Sequence, residues 1–153
     1  MKKYIIAFYS MLLFFAGAYE GCEEEEEKKD YIEVTVHAFC GITGVDAQGN
    51  NLSCGVIDTL LGGMQIRIDV VKAGGENFVA YKSVQNCFTE AVDCKFNLYR
   101  EQPIEVSAII QGGVAGYSVT NGYKVLSWEE ADAGQYQGRY HWNADVYMFL
   151  QRL

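Results

Sequence analysis

The sequence predicts an all-β body, an antiparallel sandwich of about seven strands, and three observations carry that reading. The chain is 50% hydrophobic and 14% aromatic, rich in Tyr, Phe, Val and Ile, which is the composition of strands. Several segments alternate apolar and polar residues with a period of two. Short Gly- and Asn-bearing turns separate them, and the chain holds a single proline, as expected of a sandwich with few helices.

The first strand is Tyr31 to Phe39, with Ile32, Val34, Val36 and Ala38 inward and His37 on the outer side. Residues 41–55, GITGVDAQGNNLSCG, read as a long loop containing at least one tight turn. The clearest interior strand is Met64 to Val71, with Met64, Ile66, Ile68 and Val70 on one face. Gly74 and Gly75 then supply positive φ angles at low steric cost, so that Phe78 to Val84 returns antiparallel.

Residues 94–99 and 103–110 read as a second hairpin turning through Arg100 to Gln102, with Pro103 at the start of a strand, where its missing donor does least harm. Gly116 to Trp128 reads as a further strand pair through Asn121-Gly122, a dipeptide suited to strand twist. Trp128 to Ala133 could make one helical turn capped by Ser127 with Glu130. The last segment, Arg139 to Leu150, places Tyr140, Trp142, Ala144, Val146, Met148 and Leu150 on its inner side and His141, Tyr147 and Phe149 on the other.

Ahead of this body lies a different kind of segment. Met1, Lys2 and Lys3 form a basic head, Tyr4 to Ala18 an apolar middle, and Gly21 a small residue before Cys22. A spanning helix needs about 20 apolar residues, and Tyr19 and Glu20 interrupt the run before that length, so residues 1–21 are expected to be a cleaved export signal. Head, core, Gly21 and Cys22 resemble the signal of a bacterial lipoprotein, although Tyr19 and Glu20 stand where that pattern has an aliphatic and a small residue. The resemblance implies that Cys22 is lipidated and becomes the new N-terminus; the alternative is an ordinary cut near Ala18.

Glu23 to Glu27 repel one another and bury nothing, making residues 22–29 an acidic tether. That run resembles the surface-export signal of lipoproteins in some Gram-negative lineages, which implies outer-membrane anchoring, with both periplasmic and outward display open. Several acyl chains, at about 0.8 kcal/mol per buried methylene, would hold the protein at the membrane.

Residues 30–153 are the size of one domain. The formal net charge is −8, with five glutamates standing together in the tether, and no basic stripe of the kind that phosphate-backbone binding needs is present. Nucleic acid is not an expected partner. Within the body, Leu61 to Ile110 resembles the prealbumin-like modules of transthyretin and the carboxypeptidase regulatory domains. That likeness implies a seven-stranded Greek-key sandwich, prealbumin-like or immunoglobulin-like, and by analogy a binding, spacer or stabilising role.

With Cys22 lipidated, Cys40, Cys54, Cys87 and Cys94 form an even set suited to disulfides in an oxidising compartment. Local closure, Cys40 with Cys54 and Cys87 with Cys94, is the preferred pairing because each pair brackets a turn-rich loop; a crossed pairing stays open. Their spacing does not suit zinc, and no metal or cofactor is implied.

No GxSxG, HExxH or GxxxxGK[ST] pattern occurs. Carboxylates that could serve a small hydrolase include Asp58, Asp69, Glu105, Glu129, Glu130 and Asp132, which sequence cannot pair. His141 points opposite to Tyr140 and Trp142 and reads as a surface residue. The expected function is therefore non-catalytic, a binding or structural accessory module for a glycan or protein at the cell surface. Trp128, Tyr136 and Tyr147 are the candidate stacking residues. A small carboxylate-dependent hydrolase and a structural subunit of a surface complex are the alternatives.

Overall fold

The computed structural model describes residues 31–99, 102–126, 135–136 and 139–153. Signal, tether and Cys22 lie outside them, as does the proposed helical turn at Trp128 to Ala133. The described chain is all-β with one short helix, in the order β1 (Tyr31–Val45), α1 (Cys54–Leu60), β2 (Gln65–Lys72), β3 (Asn77–Gln85), β4 (Phe88–Thr89), β5 (Val92–Tyr99), β6 (Ile104–Ile110), β7 (Tyr117–Thr120), β8 (Gly122–Leu126), β9 (Gln135–Tyr136) and β10 (Arg139–Arg152).

These strands form one sheet in the order β7-β10-β1-β4-β3-β2-β6-β8, with β5 also pairing β1 and β9 pairing β10. The two ends of that path, β7 and β8, are consecutive in the chain and joined through Asn121, so the sheet curls until it nearly closes into a barrel. A sandwich of seven antiparallel strands is therefore not what forms: more strands are present and the sheet is mixed. Its longest ladder is parallel, running from Val34 opposite Tyr140 to Val45 opposite Gln151.

That ladder follows from the two longest alternations in the chain. β1 turns Val34, Val36, Ala38, Cys40 and Ile42 inward, and β10 turns Trp142, Ala144, Val146, Met148 and Leu150 inward; all ten are buried. Pairing them side by side puts both apolar rows on one face. Ile66, Ile68 and Val70 of β2 and Ile104, Val106, Ala108 and Ile110 of β6 complete the core opposite them. Each large aliphatic so buried contributes about 1.5–3 kcal/mol.

Three local readings are corrected by these long-range pairings. The segment from Gly41 is not loop at first, because β1 continues to Val45 to match β10. The chain then turns at Asp46, whose carboxylate accepts from the Gln48 and Asn50 N–H groups at 2.9 and 2.8 Å, and enters α1, where Ser53 Oγ accepts from Val56 N–H.

β5 and β6 do not make a hairpin. β5 pairs with β1 and β6 with β2 and β8, so both apolar faces, Cys94, Phe96 and Leu98 on one strand and Ile104 to Ile110 on the other, join the same core. Nor is Asn121-Gly122 a hairpin turn, since β7 pairs with β10 and β8 with β6. Gly122 serves close approach instead: a Cβ there would stand 3.1 Å from the Tyr147 carbonyl oxygen. The β2–β3 hairpin is present as expected, with Gly74 and Gly75 at φ of 106° and 107°.

The disulfide joins Cys54 to Cys87, and Cys40 and Cys94 are buried free thiols. Both preferred local pairings are thus overturned. Cys40 and Cys94 face the core on β1 and β5, whereas Cys54 opens α1 and Cys87 sits in the β3–β4 turn, where the two chain segments meet.

Candidate functional site

The outer face of β10, β1 and β4 carries a row of three residues fixed by strand register. Gly41 lies opposite Tyr147 on one side and opposite Phe88 on the other. With no side chain at Gly41, the Tyr147 ring lies over the backbone of β1, where a Cβ would stand 2.7 Å from its Cε1. Tyr147 is 56% and Phe88 46% exposed. Phe39, two residues along β1, meets Phe88 edge to face, with ring centroids 6.0 Å apart, a favourable aromatic geometry.

Phe88 is held from behind. The β3–β4 turn has two residues, Asn86 and Cys87, both with positive φ, 54° and 66°, the form of two-residue turn that matches strand twist. Their N–H groups donate to the two Asp58 carboxylate oxygens at 2.8 and 2.9 Å, and the Cys54–Cys87 disulfide ties the same turn to the start of α1. A recess of about 380 Å³ opens between α1 and the sheet, lined by Leu52, the disulfide, Phe88 and Tyr147. On the other side of Phe88 a groove of about 710 Å³ runs along β3, lined by Tyr81, Lys82, Gln85, Phe88 and Glu90. Exposed ring faces next to small polar groups can stack on the apolar face of a sugar or on an apolar side chain.

Of the predicted stacking residues, Tyr147 is in this site. Tyr136 falls in β9, its side chain outside the described residues, and Trp128 lies outside them altogether. Phe88 and Gly41 escape a periodicity reading because β4 has only two residues and glycine has no side chain to count. The signal that marks Phe88 is its position directly after Cys87.

The described carboxylates have separate partners. Asp58 caps the turn, Asp69 is buried and bonded to Arg67 Nε at 2.9 Å, and Glu105 bonds Tyr123; Glu129, Glu130 and Asp132 lie outside the described residues. His37 is outward as expected, with Nδ1 2.5 Å from Asp93 Oδ1, while exposed His141 stands across from Thr35. Among the described residues no three His, Cys, Asp or Glu side chains gather to hold a metal ion. No described helix is long and apolar enough to cross a membrane.

No protein-family model, curated protein or solved structure matches this chain.

Proposed function

We propose that this chain is a lipid-anchored protein of the bacterial outer membrane that acts as a non-catalytic binding module, attached through Cys22 and the acidic tether. Its working surface is the outer face of β10, β1 and β4, and the ligand class is a glycan or protein at the cell surface. The observation that carries the reading is the row Tyr147, Gly41, Phe88, two exposed rings held in fixed register on the backbone of β1. The signal-like residues 1–21 support the same class by resemblance.

Glycan and protein arrays probed with the full chain test the reading, with Tyr147→Ala and Phe88→Ala as controls. Binding that each variant weakens is the expected result. Turnover in a broad hydrolase screen would replace it with the enzymatic alternative, and silent arrays with a fixed membrane partner would replace it with the structural one.

A further inference from the structure

The open edge of β3 runs on from the groove beside Phe88, and its hydrogen-bonding groups can be assigned residue by residue. Lys72 N–H donates to Glu76 carbonyl at 2.9 Å at the head of the β2–β3 hairpin. In an antiparallel ladder, bonding and non-bonding pairs alternate, so Phe78, Ala80 and Lys82 bond to β2, opposite Val70, Ile68 and Ile66. The N–H and C=O groups of Asn77, Val79, Tyr81 and Ser83 therefore point the other way. Gln85 points that way too, and it finds Phe88 of β4. β4 ends at Thr89 and the chain leaves to pair with β1, so among the described residues nothing covers the edge from Asn77 to Ser83.

Natural sheets guard such edges with proline, bulges or free charge. This strand has no proline, and its pairing with β2 runs without a bulge. Its one lysine, Lys82, is tied to Glu90 at 3.3 Å. Phe78, Val79 and Tyr81 are 37%, 38% and 51% exposed.

We infer that β3 is a pairing edge for a second copy of this chain, joined antiparallel about a two-fold axis at Val79. In that register Val79 meets Val79 of the copy and Asn77 meets Tyr81, so the outward N–H and C=O groups of all three bond in pairs. On the core-facing side Phe78 meets Ala80, a large residue against a small one, and Lys82 meets Glu76 of the copy. The charges are opposite; Glu76, 65% exposed, is held within its own chain by Lys72 at 3.2 Å and Lys82 by Glu90 at 3.3 Å, so each exchanges a partner in its own chain for the other. Opposite-charge cross-strand pairs are favourable, and an isologous contact of this kind closes on itself without leading to fibres.

Sedimentation of the full chain in detergent micelles over a range of concentrations tests the inference. A concentration-dependent dimer is expected, and Val79→Pro, which removes a donor that β2 does not use, should make it monomeric without lowering the melting temperature by more than a few degrees. Val79→Cys should form an intermolecular disulfide on mild oxidation, beyond the wild-type background, and Ser83→Cys should not. Lys82→Glu should weaken the dimer by roughly threefold to tenfold, and adding Glu76→Lys should restore it. A wild-type chain that stays monomeric, including one that takes up an extended peptide along β3 instead, overturns the inference. So does a dimer indifferent to Val79→Pro, or a charge reversal that does not rescue.

Discussion

The Tyr147 ring occupies the space that a side chain at Gly41 would need, with Cε1 and Cδ1 2.7 and 2.8 Å from the position of a Cβ there. Gly41→Ala should therefore push the ring off β1 and destabilise the fold by about 1–3 kcal/mol. Chemical denaturation of the single variants and of Gly41→Ala with Tyr147→Ala measures it. Most of the loss should vanish in the double variant, because the clash needs both residues.

Asp58 joins α1 to the β3–β4 turn through two N–H acceptances. Asp58→Ala should cost about 1–3 kcal/mol by leaving those donors without their partner, while Asp58→Asn, which keeps one carbonyl acceptor, should cost less. Denaturation with the disulfide intact separates the effect from that of Cys54–Cys87.

The Cys40 and Cys94 thiols are each pushed up from an ordinary 9.0 to about 12, first by burial. Their neutral forms are favoured in the fold, so their contribution is fully present below pH 9 and is lost as pH climbs toward 12. In that window stability should fall by about 1 kcal/mol per pH unit for each thiol. Alkylation of the native protein at pH 8 should leave both thiols unmodified, and alkylation in denaturant should label both.

Trp142 is 2% exposed near the start of β10, opposite Val36 of β1. Trp142→Ala should cost about 3–5 kcal/mol, read as a lowered denaturation midpoint. A loss under 1 kcal/mol would mean that the ring is not core.

On the proposed membrane attachment, Cys22→Ala should move the protein from the membrane to the soluble fraction of cell lysates. Unchanged fractionation would remove the lipid anchor from the reading.

What was legible in the sequence was local. The alternation in β10 gave Trp142 inward and Tyr147 outward, and Gly74-Gly75 gave the β2–β3 hairpin. Partner choice was not legible, because it depends on which apolar faces must share a core. Asn121-Gly122 carries a strong turn signal, yet Gly122 is needed where β8 crosses the Tyr147 backbone. Cys54 and Cys87 are 33 residues apart, and only the docking of α1 against the β3–β4 turn brings them together. The candidate site shares that origin: Tyr147 was visible as an outward ring, but its neighbours Gly41 and Phe88 come from ladders that no period reveals.

The central ladder joins the opening strand of the body to its closing one, Val34 to Tyr140 and onward to Val45 with Gln151. The buried rows of β1 and β10 thus cannot zip together until the whole of the chain between them has been made. Loop closure on that scale slows assembly, so a chain without β10 should stay open and vulnerable to proteases. Loss of β10 would undo this protein more thoroughly than a cut in any of its turns.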